Sequence, residues 1–243
     1  MKSLLMFAAT GLALSLPAQA TDLDERLKSV LAKACASGGP YAHHGISLGM
    51  SQAALAELGS APVKANFPSS GSSSVRVDDK TLIMWSTPEA PDQPRYRIDY
   101  ARGATPSFSQ DEARAFVDEQ VRSFGEPKIR GEGKSFMDAG YPTLFYGPDD
   151  ALKRQMYAPV SACLRPQRQI SSHDKAALAN FTPRNFRRAV AGLQAACPDQ
   201  VDAYFDYMAY SLQPEVHVTT GKRKFRIDMR CPAESKIGAI LKH

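Results

Sequence analysis

Apolar residues recur along this chain first at helical spacing and then by simple alternation, and the two periods mark out a series of short elements. Leu23, Leu27, Val30 and Leu31 give Asp22–Ala36 a helical pattern that Gly38-Gly39-Pro40 stops. A loop through His43-His44-Gly45 follows, and Ile46, Leu48 and Met50 alternate as a short strand. Ser51 is a good N-cap for a small helix carrying Leu55 and Leu58 and closed by Gly59. Residues 66–74 read as a flexible serine-rich loop, and Pro88–Pro94 as a connector between strands at Leu82–Trp85 and Arg95–Tyr100. The clearest helix is Asp111–Phe124, where Ser109 and Glu112 have capping-box spacing and Phe116, Val117, Val121 and Phe124 form the apolar stripe.

Tyr141–Tyr146 and Met156–Leu164 read as strands, and Asp174–Ala179 as a helical stretch. Thr182 before Pro183 predicts a helix running through Ala196 with Phe186, Val190 and Leu193 inward. The aromatic crowding of Val201–Tyr210 suits either state and is read as helix. The tail predicts a β-hairpin: Val216 and Val218 alternate, Gly221-Lys222 turns, and Phe225, Ile227 and Met229 alternate back. One phrase occurs twice, at Ser51…Gly59…Pro62 and at Ser109…Gly125-Glu126-Pro127: a capped helix, a glycine stop, a proline and then β structure. It is a candidate internal repeat. The expected fold is α+β, with short helices packed on antiparallel sheet in two related helix-plus-sheet units.

The segment Gly45-Ile46-Ser47-Leu48-Gly49-Met50-Ser51 resembles a phrase of small envelope proteins of Gram-negative bacteria, those of the SmpA/OmlA type, and more loosely the β-lactamase-inhibitor-protein fold. Phe124-Gly125-Glu126-Pro127 resembles the same turn a second time. The chain is longer than those proteins and lacks their lipid-attachment cysteine. The resemblance implies a non-enzymatic envelope module that binds another protein, and its motifs carry over no catalytic residue.

The first 20 residues change the setting of everything after them. Lys2, the apolar run Leu4–Leu16 and Ala18-Gln19-Ala20 ahead of Thr21 have the layout of a secretory signal peptide that is removed, which predicts a periplasmic or secreted protein. That run is shorter than the roughly 20 residues a membrane helix needs, and no later stretch approaches that length, so no transmembrane segment is expected. The four cysteines, Cys35, Cys163, Cys197 and Cys231, then read as two disulfides with three possible pairings. The simplest is Cys35–Cys163 with Cys197–Cys231, if two modules close independently.

Charge suggests such modules. Residues 21–150 carry 14 Lys/Arg against 18 Asp/Glu, whereas residues 151–243 carry 15 against 7, so a net of −4 is followed by one of +8. The expected division is a signal peptide at 1–20, an α+β module at 21–150 and a basic helix-plus-hairpin module at 151–243, with the boundary near 148–172. In the basic module Arg184, Arg187 and Arg188 have the spacing of one helix face, and Lys222, Lys224, Arg226 and Arg230 share the strand parity opposite Phe225, Ile227 and Met229. A positive sheet face of this kind suits an anionic envelope surface or an acidic protein.

Sites for chemistry are sparse. His43-His44 is the most tempting pair, but adjacent side chains in a loop rarely converge on one ion, and no H-E-x-x-H or H-x-H accompanies them. An exposed loop without a metal is expected. His173, His217 and His243 are isolated, and no G-x-S-x-G, G-x-G-x-x-G or Walker loop occurs, so neither catalytic residue nor cofactor is assigned. The function expected is that of a periplasmic, non-catalytic binding protein, with another envelope protein or an anionic envelope surface as partner and not nucleic acid. One rival is a secreted hydrolase with a spatially assembled site using His43 or His44 as base. The other is a binder of anionic envelope components through the basic C-terminal half.

Overall fold

In the computed structural model, which describes residues 16–35, 41–59, 61–63, 72–86, 97–104, 107–133 and 138–242, a helix is followed twice by strands that pair with their chain neighbours. The elements are α1 (Leu16–Cys35), β1 (Ala42–His43), β2 (Ile46–Ser47), α2 (Gln52–Glu57), β3 (Ala61–Val63), β4 (Ser72–Arg76), β5 (Thr81–Ser86) and β6 (Arg97–Gly103). Then come α3 (Gln110–Phe124), β7 (Ile129–Glu132), β8 (Pro142–Tyr146), α4 (Asp150–Leu164), α5 (Ser172–Asn180), α6 (Phe186–Ala196), α7 (Val201–Ser211), β9 (Glu215–Thr219), β10 (Lys224–Arg230) and α8 (Pro232–Leu241). The fold is α+β with two disulfides, as the sequence predicts.

The strands form one antiparallel sheet in the order β3-β4-β5-β6-β10-β9-β8-β7, beside the two-stranded hairpin β1–β2. Each half of the sheet is a four-stranded run of sequence neighbours, and the halves meet at their last strands, from Lys224↔Gly103 to Arg230↔Arg97. A capped helix precedes each half. Ser51 accepts from the Ala54 amide at α2, and Ser109 with Glu112 closes the capping box of α3. The second half is interrupted between β8 and β9 by the helices α4 to α7, so strands from both sides of residue 150 share the sheet.

Register sorts the sheet's side chains onto two faces. Phe225, Ile227 and Met229 lie with Ile98, Tyr100, Ile83, Trp85, Val216, Val218, Leu144 and Tyr146 on the buried face. Helix α3 covers this face: Phe116 stacks on Phe225 with centroids 4.9 Å apart, and Phe124 meets Tyr146 edge-on at 5.5 Å. Phe108, just ahead of α3, stacks on Phe225 from 3.8 Å.

The helical insertion differs most from expectation. Residues 156–164, read as a strand, belong to α4, because Asp149 caps the helix at the Leu152 amide and Met156, Val160 and Leu164 recur one turn apart toward the core. Thr182 does not open α6. Its amide closes α5 by donating to the Ala177 carbonyl, Phe181 takes a left-handed conformation with φ 53°, and Asn185 does the same with φ 68° before the helix begins at Phe186. Part of the expected serine loop is ordered as well, since Ser72–Arg76 pairs with β5. The Pro88–Pro94 connector and most of the N-terminal leader lie outside the described residues.

The disulfides are Cys35–Cys231 and Cys163–Cys197, not the pairing that independent modules favour. The physical reason is that α1 packs across the chain on α7 and α8 instead of closing on its own half. Arg26–Asp202 and Lys33–Asp206 bridge α1 to α7, and Arg187–Asp24 ties α1 to α6. Among the described residues no helix is long and apolar enough to cross a membrane.

Candidate functional site

The face opposite Phe225 is polar and open. From β10 it presents Lys224, Arg226, Asp228 and Arg230, with Arg97 and Asp99 from β6, Glu215, His217 and Thr219 from β9, and Thr143 and Phe145 from β8. Register sets like charges directly opposite one another, Asp99 against Asp228 and Arg97 against Arg230, which alone would destabilise the pairing. Contacts with other neighbours, diagonal, along β10 and across to β9, reverse the sign. Arg226 Nε donates to Asp99 Oδ1 at 2.8 Å, Arg226 lies 3.7 Å from Asp228, and Arg97 lies 3.8 Å from Asp228. Arg230 donates to Glu215 at 2.9 Å and stands 3.2 Å from His217 Nε2. Burial, and then the positive charge of Arg230, lower the His217 pKa.

Lys224, Arg226 and Arg230 therefore share a face of β10, with Lys222 in the turn beside them, but the face is of mixed charge at its centre because β6 and β9 bring carboxylates to it. Among the described residues Lys222 and Lys224, at the turn, form no ion pair. Toward the β7 edge the face becomes apolar. Ile129, 55% exposed, sits directly opposite Phe145, whose ring lies 4.7 Å from His217. Two shallow depressions run along it, one lined by Lys222, Lys224 and Arg226 and the other by Ile129, Phe145 and His217. They adjoin at Asp138, Thr219 and Thr220.

The remaining basic candidates lie elsewhere. Arg184 precedes α6 rather than riding on it, and with Arg188 it lines a hollow beside His173. Arg188 is bound to Asp174 at 2.8 Å, which lowers the Asp174 pKa, and Arg187 is paired with Asp24. The helix arginines and the hairpin cations do not line a common depression.

The histidine pair is a hairpin turn, not an exposed loop. His44 and Gly45, with φ 49° and 79°, form the two-residue connection between β1 and β2, a place where glycine's freedom is used. The turn folds back onto α3, so His43 is only 3% exposed and packs edge-on to Tyr100 at 4.5 Å, with Phe116 at 6.0 Å. His43 Nε2 and the neighbouring Gln120 Oε1 are buried and make no hydrogen bond of good geometry, each having the other's side chain as its polar neighbour. His44 is exposed, and its Nε2 lies 3.6 Å from Glu119 Oε1. One ligand-capable atom from each of His43, His44 and Glu119 lies within 4.8 Å of the other two. Helix α3, far along the chain, supplies what the local spacing lacks.

Burial, helped by His44, pushes the His43 pKa down from 6.5 to about 4. The unfolded chain then binds the extra proton first, so the stability tied to a neutral His43 is complete above pH 6.5 and is lost as pH falls toward 4. The metal-free protein is expected to lose about 3 kcal/mol through this window in urea titrations at stepped pH, after allowance for other groups. His43→Phe should flatten that part of the profile, and an unchanged slope would contradict the assignment. The chain matches no family model, no curated protein and no solved structure.

Proposed function

We propose that this is an exported, non-catalytic binding protein of the bacterial envelope that holds another protein against the open face of its central sheet. The observation that carries the reading is the face itself: the exposed Ile129 beside the half-buried Phe145 ring at the β7 edge, continuous with two adjoining depressions and flanked by the paired charges of Arg226 and Arg230. An apolar patch set beside polar and charged groups is a common element of protein-binding surfaces. Paired charges around it fix register and exclude wrong partners more than they add affinity.

Two disulfides favour an oxidising compartment, and the layout of residues 1–20 favours export to it. The resemblance of Gly45–Ser51 to small envelope proteins points the same way.

The test is capture from envelope extract by the immobilised protein at low and high salt. The wild type is expected to retain a discrete protein partner that survives high salt, Ile129→Asp to lose it, and Arg168→Glu, on an exposed loop far along the chain, to keep it. Equal capture by Ile129→Asp, or no partner at all, overturns the reading. Retention instead by anionic vesicles, falling steeply with salt, would assign the face to an anionic surface through Lys222 and Lys224.

A further inference from the structure

The β1–β2 turn and α3 create a second arrangement on the opposite, covered side of the sheet, independent of the open face. His43, His44 and Glu119 are the one group of three metal-ligating side chains that converge among the described residues. Convergence alone would be weak, because exposed acids and histidines often meet without an ion. A second observation is stronger. The His43 imidazole is almost wholly buried, and its Nε2 makes no hydrogen bond of good geometry, with the Gln120 side chain as its polar neighbour. Gln120, next to Glu119 on α3, leaves its buried Oε1 equally poorly aligned, because its amide nitrogen is turned to the Phe116 carbonyl. A buried imidazole nitrogen met only by a poorly aligned Gln120 side chain, beside an ion-pairable carboxylate, is better satisfied by a cation that takes lone pairs.

We propose that His43, His44 and Glu119 bind one divalent transition-metal ion of the zinc class, which pins the β1–β2 hairpin to α3. The donor set selects the class. Two imidazoles with one carboxylate suit borderline ions such as Zn(II), whereas calcium and magnesium favour oxygen ligands alone. The three ligand atoms, now up to 4.8 Å apart, must close to about 3.4 Å, the separation of two atoms each bound about 2.1 Å from a tetrahedral ion. His43 cannot move, because Tyr100 and Phe116 hold its ring. His44 and Glu119 can, since their side chains are 62% and 44% exposed. His43 is therefore the fixed anchor, and the other two swing in from solvent. The fourth position belongs to water or to the Gln120 carbonyl oxygen. The aromatic wall around His43 keeps bulk water off one side of the ion, the setting in which metal ligands are held in place.

The experiment is calorimetric titration of the full-length, chelator-dialysed protein with zinc chloride, repeated with cobalt(II) to read the coordination spectrum. One equivalent is expected to bind, with a rise in melting temperature. His44→Ala and Glu119→Gln, both altering exposed side chains and so keeping the fold, are expected to weaken binding more than about tenfold, the loss that even an outer partner of a metal ligand produces. His217→Ala on the open face should leave it unchanged. His43→Ala should abolish binding, but it empties a buried position, so the two exposed variants decide. No stoichiometric zinc binding, binding by His44→Ala and Glu119→Gln within twofold of wild type, or an equal loss in His217→Ala overturns the proposal.

Discussion

Replacing Cys35 and Cys231 by alanine is expected to lower the unfolding free energy by about 4–5 kcal/mol, the largest effect of any single covalent change in the molecule. The two cysteines are 196 residues apart in sequence, so the bond restrains almost the whole unfolded chain. Chain-entropy cost rises with the logarithm of loop length, and the second bond, Cys163–Cys197, spans 34 residues and is expected to contribute about 3–4 kcal/mol. Native contacts add to the difference. Cys35 ends α1 and Cys231 stands immediately ahead of α8, so the bond clamps the helix that packs on both α7 and α8. The ion pairs along that seam cannot replace it: Arg26–Asp202 and Lys33–Asp206 are solvent-exposed, and such pairs contribute at most about 1 kcal/mol each. Thermal unfolding of the double alanine variant should fall on the order of 10–15 °C below wild type, and α1 amides should lose protection from exchange. A smaller loss for the Cys35–Cys231 variant than for Cys163→Ala/Cys197→Ala would contradict this ranking.

Elements whose punctuation is local were legible in the sequence. The α3 capping box, the Ser51 cap and the alternation of β9 and β10 each depend on residues within a few positions of one another, and each is present in the structure. Elements whose state depends on distant partners were not. Residues 156–164 can satisfy either period, and what decides is the α7 surface on which α4 packs. Helix α8 carries little local punctuation, because Pro232 at its first turn follows a disulfide cysteine and not a capping side chain. Strand β7 carries little signal for another reason: it is an exposed edge strand with almost no apolar pattern.

The sites divide along the same line. Strand parity places Lys224, Arg226 and Arg230 on one face, because parity is a property of a single strand, whereas Lys222 falls in the turn before it. Parity could not foresee that Asp99 would stand diagonally across from Arg226 and Glu215 directly across from Arg230, since register between β6, β10 and β9 is set by their buried side. His43-His44 looked like a solvated loop because neither neighbour in sequence explains burial. The signal that was available is Gly45, which permits a two-residue turn that folds the pair back on the core.

Phe225→Ala is expected to cost about 3–5 kcal/mol, the range for emptying an aromatic site in a packed core. Phe225 lies in β10 where the two halves of the sheet meet, and its ring is held between Phe108 and Phe116. The segment leading into α3 is tied there at both ends of the Phe108 peptide: its amide donates to the Lys222 carbonyl at 2.7 Å, and its carbonyl accepts from the Tyr141 hydroxyl at 2.6 Å. These bonds keep Phe108 from collapsing into the space an alanine would leave, so the cavity term stays large. Phe225→Leu keeps most of the volume and should cost about 1–2 kcal/mol, whereas Ile129→Ala, on the exposed edge, should change stability by no more than about 0.5 kcal/mol. Urea unfolding of the three variants measures the order directly. A loss below about 1.5 kcal/mol for Phe225→Ala would mean that α3 re-docks freely, and that the aromatic stack does not fix the helix carrying Glu119 and Gln120 against the histidine turn.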